Sequence, residues 1–214
     1  MNPNTVLLAV AMAVSPMAIL ASVLLLTTEH GTVKAGAYAA GWVVAVAICG
    51  GLTIWAADHL DARPGSTTST ASAVLDVVLG VVLLVLALRR RSMGSGSVAE
   101  PGWMSRLDRM SPFVALGFGL FMPPYVMAVA GANNIVRADG SASGERVVLA
   151  VVVFTIVASL GVIVPFTFAV ASSRSDEVIA RWRTWLMANW RQMLMWLLLV
   201  IGAYLVAKGV IELL

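Results

Sequence analysis

The amino-acid sequence predicts an all-α integral membrane protein whose six transmembrane helices form two inverted three-helix repeats. Of the 214 residues, 60% are hydrophobic and only 12% are charged, whereas soluble domains are about half apolar and about a quarter charged. The apolar residues gather in six blocks, each long enough to cross a hydrocarbon core of about 30 Å. Prolines interrupt the first and the fourth block at similar depths. These blocks leave no room for a soluble catalytic domain.

The six spans are predicted at 5–26, 35–57, 71–88, 112–132, 147–171 and 192–213. The first block has no basic start, whereas a cleaved signal peptide has one, followed by about 7–15 apolar residues. We therefore expect the first block to be retained as a helix. In the second span Gly36 lies one turn from Ala40, and Ala37 lies one turn from Gly41. Small residues at this spacing let helices approach closely in lipid.

The predicted organisation is a first repeat at 1–90, a basic flexible cytoplasmic linker at 91–111 and a second repeat at 112–214. The linker contains Gly-Ser-Gly-Ser at 94–97, a composition typical of flexible chains. Because each half has an odd number of spans, the second half should insert upside down relative to the first. Many secondary transporters are built in this way, with the substrate site near the midplane.

The orientation follows from the basic residues in alternate loops. One set of loops and span ends holds ten of the 14 lysines and arginines, and the other set holds four. Basic residues accumulate on the cytoplasmic side of bacterial membrane proteins. Both termini are therefore predicted to lie outside.

Proline breaks are expected in two spans, at Ser15-Pro16 and at Met122-Pro123-Pro124. Proline has no N–H and clashes with the carbonyl four residues earlier, so a helix kinks or opens there. In lipid the carbonyls that lose their donors need another partner or a polar cavity. The carbonyls expected to be affected are those of Met12, Gly119 and Leu120. Each break has the alternative of being a kink that only shapes packing.

Residues near the two breaks are the candidates for a substrate cavity. They are Ser15, Pro16, Met122, Pro123, Pro124, Asn133 and Asn134. The asparagine pair ends the predicted fourth span, where it would hydrogen-bond a substrate at the outer mouth or cap the helix. Pro165, in the fifth span, is expected to be only a kink.

Asp76 is the only carboxylate that lies within a predicted span away from the span's last two residues. An acid inside a membrane helix is by default a functional candidate, and Asp76 would then couple transport to protons. Because it lies about five residues from the outer edge, at a rise of 1.5 Å per residue, it can instead reach the interface.

The segment 172–191 is predicted to be an amphipathic helix in the inner head-group region, because tryptophan and leucine recur at helical spacing between arginines. The expected head-group contacts are Arg181, Arg183, Arg191, Trp182 and Trp185. The alternative is an ordinary aromatic belt at the start of the sixth span.

Other chemistry has little support in the sequence. The motifs of serine hydrolases, zinc proteases and phosphate-binding loops are missing, so we expect no enzyme activity and no cofactor. Asp58-His59-x-Asp61 has metal-ligand residue types, but a solvated helix end is expected there rather than a metal site. The arginines lie at membrane edges and so do not indicate nucleic-acid binding.

The chain resembles the lysine-exporter superfamily, and within it the glycopeptidolipid- and sulfolipid-addressing proteins of actinobacteria. The resemblance rests on Ala-Val-Ser-Pro at 13–16, Gly-Leu-Phe-Met-Pro-Pro at 119–124 and the tryptophan-rich stretch before the last span. It covers the whole chain through short motifs. Related thiol-disulfide carriers use membrane cysteines, and Cys49 is the only cysteine.

The resemblance implies a multi-pass protein of the bacterial cytoplasmic membrane that helps to translocate or export a lipid or glycolipid towards the cell surface. Its expected partners are membrane lipids, the lipid substrate, a larger lipid transporter and further copies of itself. Two alternatives remain open. One is a proton-coupled exporter of amino acids or other small solutes, and the other is a non-transporting scaffold for a larger lipid transporter.

Overall fold

The computed structural model describes residues 3–59, 77–78, 80–82, 84–88, 109–139, 144–172 and 175–213. The side chains at 139, 190–191, 205, 208–209 and 211–213 lie outside this description. Within these ranges the regular structure is all helical, without a strand. The all-α prediction is therefore confirmed.

Seven helices have defined bounds. They are α1 (Pro3–Ala13), α2 (Pro16–Leu26), α3 (Gly31–His59), α4 (Pro112–Phe121), α5 (Tyr125–Asp139), α6 (Glu145–Ala171) and α7 (Ser175–Leu213). Helical residues also occur at 77–78, 80–82 and 84–88. The chain forms two compact units, one containing 1–62 and 101–187 and the other 63–100 and 188–214.

Among the described residues, three spans are long and apolar enough to cross a membrane by themselves, and the number rises to five if each of two interrupted pairs of helical segments is one span. The three are Pro3–Leu26, Gly31–His59 and Glu145–Ala171. The predicted span at 71–88 lies partly outside the described residues. The chain is thus a multi-pass membrane protein.

The predicted break in the first span is confirmed, because α1 ends at Ala13 and α2 begins at Pro16. The Ser15 N–H turns back to donate to the Met12 carbonyl at 3.2 Å. Pro16 could not donate to this carbonyl, which therefore finds its partner one residue earlier.

The predicted break in the fourth span is also confirmed, and it is sharper. The axes of α4 and α5 differ by 58° across the Met122-Pro123-Pro124 interruption. Two adjacent residues without an N–H remove two consecutive helical hydrogen bonds. By contrast, α6 continues through Pro165 to Ala171.

One of the predicted helix ends is wrong, because the fourth span continues in α5 as far as Asp139, beyond the predicted end at 132. The amphipathic segment is helical from Ser175, as predicted, and the predicted start of the sixth span at 192 coincides with the interruption between Ser175–Asn189 and Gln192–Tyr204 within α7. Apolar content locates a span, but polar residues at its end do not stop a helix whose backbone bonds continue.

α3 lies at the centre of the first unit and packs on α2, α4, α5 and α6. Its closest approach is to α4, where a Cβ added to Gly41 would lie 2.2 Å from the Leu116 carbonyl oxygen. A Cβ added to Gly119 would lie 2.1 Å from the Tyr38 carbonyl oxygen. The predicted role of Gly41 in close helix packing is therefore confirmed. Gly36 instead faces the Phe166 ring of α6.

The remaining contacts of the first unit join the halves of the broken spans to α6 and to each other. α6 packs on α1, α2 and α5, and α1 also packs on α5. α2 and α4, both fully described, make no comparable contact. A Cβ added to Gly161 of α6 would lie 2.0 Å from the Ala13 carbonyl oxygen at the end of α1.

The second unit has its own close contact between helical segments. A Cβ added to Gly80 would lie 2.8 Å from the Gly202 carbonyl oxygen, and one added to Gly202 would lie 3.0 Å from the Gly80 carbonyl oxygen. The two backbones therefore meet directly at these glycines, as small residues allow in membranes.

Candidate functional site

The two breaks lie in the first unit, at the ends of helices that pack on each other. α1 ends at the first break, α5 begins at the second, and the two helices are in contact. Pro16 and Pro123 are buried, whereas Ser15, Met122 and Pro124 are half-buried. The structure therefore brings together one half of each broken span, and the role of these five residues in a substrate cavity remains a prediction.

At the second break, a side chain donates a hydrogen bond to one of the two carbonyls that the prolines leave without a backbone donor. The Leu120 carbonyl would normally pair with the N–H of residue 124, which is Pro124. The Tyr125 hydroxyl donates to this carbonyl instead. The Gly119 carbonyl would pair with residue 123, and Pro123 has no N–H to offer. One acceptor of the break is thus capped locally.

Replacing Tyr125 with phenylalanine is expected to destabilise the protein by about 1–3 kcal/mol, because the Leu120 carbonyl loses its donor. The free energy of unfolding in detergent micelles measures this. In a Pro124→Ala background a backbone N–H is restored, so the same Tyr125→Phe change should cost much less. Equal costs in both backgrounds would show that the hydroxyl does not act through this carbonyl.

Four polar atoms inside the first unit are buried without a hydrogen-bond partner among the described residues. They are the Oγ1 of Thr5, the hydroxyl of Tyr38, the Nε1 of Trp42 and the Oγ of Ser159. Buried polar side chains are usually paired, and an unpaired one costs about 1–3 kcal/mol. Ser22, in contrast, donates to the Val162 carbonyl at 3.3 Å. The unpaired atoms are candidates for contact with a bound molecule.

The sequence reasoning did not single out Tyr38 and Trp42. They are four residues apart in α3, with 0% and 1% of their surfaces exposed. The Tyr38 ring lies 5.6 Å from the Phe118 ring of α4 and 6.3 Å from the Trp42 ring, centroid to centroid. Their i, i+4 spacing inside an apolar span was the available signal, but the same spacing is common among residues that only pack.

The asparagine pair lies inside a helix rather than at its end. Asn133 and Asn134 are both half-buried, and α5 continues for several residues to Asp139. Helix capping at this pair is therefore wrong. Substrate contact through Asn133 and Asn134 remains a prediction.

The segment before the sixth span is helical, as predicted. Some of its apolar side chains are buried against protein, and others are exposed. Ile179 and Leu186 are buried, and the Trp182 ring lies 5.2 Å from that of Phe168 in α6. Trp185 is 56% exposed.

Of the predicted head-group contacts, Arg181 and Arg183 are exposed. The side chain of Arg191 and the whole of Asp76 lie outside the described residues. Trp182 therefore packs partly on protein, and head-group contact through Trp185, Arg181 and Arg183 remains a prediction.

The described part of the Asp58-His59-x-Asp61 motif forms a local helix end. The His59 Nδ1 lies 3.8 Å from an Asp58 carboxylate oxygen and 3.0 Å from the Trp55 carbonyl oxygen. The imidazole also stacks on the Trp55 ring at 5.3 Å. Asp61 lies outside the described residues, within which no three metal-ligating side chains come together.

Comparison with known proteins identifies a family. Residues 5–211 match the family model of Sap, the sulfolipid-1-addressing protein. No curated protein and no solved structure matches the chain. The family match includes both proline breaks and nearly all of the seven helices, and the resemblance seen in the short motifs is confirmed. The chain belongs to the sulfolipid-1-addressing protein family.

Proposed function

We propose that the chain is a transport protein of the bacterial inner membrane that moves a lipid or glycolipid towards the cell surface. The observation that carries this proposal is the family match over residues 5–211, because the family is named for addressing a sulfolipid. The broken spans supply the structural support, since irregular backbone at membrane depth is tolerated where it is buried in protein or lines a cavity.

A lipid substrate agrees with the scarcity of charged residues within the apolar spans. The acyl chains of a lipid can remain in the bilayer while only the head group needs polar contacts. Buried hydroxyl and indole groups of α1, α3 and α6 offer such contacts. A strongly charged cavity, costly in a membrane, is not needed for this task.

We also propose that the spans form two inverted repeats, giving six in all. If the repeats are equivalent, α1 corresponds to α4, α2 to α5 and α3 to α6. The α3–α4 contact then corresponds to α6–α1, the α3–α5 contact to α6–α2, and the α2–α3 contact to α5–α6. All of these pairs pack in the structure. An internal two-fold relation of this kind is the plan of many secondary transporters.

The close backbone contacts at two glycines show the same correspondence between the repeats. Gly41 of α3 lies on the backbone of α4 shortly before the second break, and Gly161 of α6 lies on the end of α1 at the first break. In each repeat, therefore, the second span places a glycine against the broken span of the other repeat. Gly80 and Gly202 would be the corresponding pair of the third and sixth spans.

The proposed orientation places both termini outside and the exposed Arg181 and Arg183 at the inner leaflet, following the distribution of basic residues. There the arginines would attract anionic head groups, each by about 1 kcal/mol. Trp185 would anchor α7 at the interface, since tryptophan favours the head-group level.

A proton-coupled exporter of small solutes is a weaker alternative. Such an exporter needs a titratable group near its site, and the carboxylates of the described helices lie at or near helix ends: Asp58, Asp139, Glu145, Asp176, Glu177 and Glu212. Asp76 is the remaining candidate. We propose transport rather than catalysis, and a larger lipid transporter remains a proposed partner.

The proposal predicts the loss of one surface lipid when the gene is deleted from its native host. That lipid should accumulate inside the cell, because its synthesis continues while its export fails. Lipid inventories of the cell surface and of whole cells measure this, and complementation with the intact gene is the control. Unchanged inventories would contradict lipid export and favour a small solute.

A further inference from the structure

The break in the first span is wider than Pro16 requires. A proline removes only its own backbone donor, whereas Met17 and Ala18 both carry an N–H group. In a continuous helix these two groups would donate to the carbonyls four residues earlier, at Ala13 and Val14. Neither bond is formed in this segment, every residue of which is described. Two donors and two acceptors in matching register therefore lie on opposite sides of the break.

The backbone of Ser15 separates the two halves of the span. Its φ is −56° and its ψ is 113°. A helix has φ of about −63° and ψ of about −42°, so only ψ departs from helical geometry. The ring of the following proline pushes a residue towards this extended conformation. Rotation about one backbone bond would therefore bring the N–H groups of Met17 and Ala18 back towards their acceptors.

Both conformations of Ser15 satisfy its own N–H group. In the extended form this N–H donates to the Met12 carbonyl at 3.2 Å, and in a closed helix it would donate to the Ala11 carbonyl instead. Ser15 is the N-cap residue of α2, but its side chain makes no capping hydrogen bond that would hold the extended form. Closing the helix adds two hydrogen bonds, which offset the crowding before proline.

The second break has no residue that can rotate in this way. The residue before Pro124 is Pro123, whose φ is fixed by its ring and whose ψ is restricted by the next ring. α4 remains helical as far as Met122, at φ −82° and ψ −26°, and the helix axis then changes direction by 58°. The Leu120 carbonyl already accepts from the Tyr125 hydroxyl. The second break is therefore a fixed bend.

We propose that Ser15 is the hinge of the transport cycle and that the fourth span keeps its bend throughout. α2 and α4 both pack on α3, and the fixed bend joins α4 to α5. Rotation at Ser15 therefore moves α1 relative to α5, on which it packs in the structure. The proposal rests on the transport function proposed above and names the residue at which the molecule changes state.

The first test locks Ser15 in the conformation that it already has. The observed φ of −56° lies within the range of proline, about −65 ± 15°. In Ser15→Pro the new ring would clash with the Ala11 carbonyl of a closed helix, so the chain keeps the break and cannot close it. Met122 shows that a helical residue is tolerated before two prolines in this protein.

Export of the lipid by Ser15→Pro should fall about tenfold or more at equal amounts of folded protein, because export requires the fraction of molecules that reach the closed state. A break that is only static predicts the opposite result. The variant retains the observed conformation, so a static break would leave export unchanged.

A distance measurement follows the hinge without any substrate. Spin labels are attached to cysteines at Val6 in α1 and Arg137 in α5, both exposed, after the single cysteine, Cys49, is replaced by alanine. Pulsed electron paramagnetic resonance in phosphatidylcholine nanodiscs should show two distances in the parent protein and one in Ser15→Pro. Pro16→Ala, which restores a donor and removes the crowding, should raise the ratio of the second distance to the first about tenfold or more.

The matched control is Tyr125→Phe. It also removes the donor of one carbonyl at a break, that of Leu120, but it leaves Ser15 unchanged. Export per folded protein and both distances should stay as in the parent. Ser15→Ala keeps the N–H group and should also show both distances, because the hinge is a property of the backbone.

Full export by folded Ser15→Pro, or one common distance distribution in the parent, Ser15→Pro and Pro16→Ala, would overturn the hinge. The distances do not depend on lipid export, so the two proposals fail separately. A parent protein that exports its lipid while the distances never change removes the hinge and leaves the transport function intact. Two distances that merge in Ser15→Pro, beside unchanged lipid inventories of the deletion strain, support the hinge and remove lipid export.

Discussion

Replacing Pro123 and Pro124 together with alanine is expected to reduce lipid export strongly in a protein that still folds. The two new N–H groups can donate to the carbonyls of Gly119 and Leu120, so α4 and α5 can join into one helix and the 58° bend between them is lost. Straightening would displace α5 from α1, on which it packs. We expect export to fall about tenfold or more, the change that about 1.4 kcal/mol produces.

The matched control for this experiment is Pro165→Ala in α6. Pro165 is buried in a helix that continues past it, so its removal should leave export nearly unchanged. Export rates are compared at equal amounts of folded protein, and circular dichroism should show a rise in helix content for the double variant. Full export by the Pro123→Ala, Pro124→Ala protein would show that the break is only a packing feature.

Substituting alanine for Gly41 or Gly119 is expected to destabilise the protein by about 3 kcal/mol, at the upper end of the usual cost of overpacking. A new Cβ at either position would lie 2.1–2.2 Å from a carbonyl oxygen of the facing helix. Backbone cannot rotate away as a side chain can, so α3 and α4 must separate. In a helix interior, alanine is more favourable than glycine by about 1 kcal/mol. The expected loss of stability is therefore opposite in sign to the change in helix propensity.

Gly117 and Gly51 are the controls for this prediction. They occupy the same two helices, and a Cβ at either position has nothing within 4 Å. Their alanine variants should be neutral or more stable by up to about 1 kcal/mol. The free energy of unfolding in detergent micelles distinguishes the two sets. Stable Gly41→Ala and Gly119→Ala proteins would contradict the close approach of α3 and α4.

The sequence was sufficient to locate the breaks because their cause is covalent. Pro16, Pro123 and Pro124 lack an N–H in any fold, so the helices had to end or bend there. The close approach at Gly41 was predictable for a similar reason, since only a residue without a side chain permits it. The partner of Gly41 was not predictable, because nothing local indicates which helix faces it.

The polar interior of the candidate site was missed because its residues look ordinary in sequence. Lys34 counted only as a charge at a membrane edge, and Tyr38 and Trp42 as aromatic residues of an apolar span. Their burial and the unpaired donors of Tyr38 and Trp42 depend on how the helices of the first unit pack around α3. The helix bounds around Asn133 were wrong for the opposite reason, since polar residues near a span's end leave the backbone free to continue as helix.

The two ends of the first unit differ, because α1 packs on α5 whereas α2 and α4 make no comparable contact. In the proposed orientation α1 and α5 are the outer halves of their spans, and α2 and α4 are the inner halves. The first unit would then be closed towards the exterior and open between α2 and α4 towards the cytoplasm, the state in which it would load. The proposed internal two-fold relation would supply the opposite state, in which α2 contacts α4 while α1 leaves α5, and the cargo would be released on the far side.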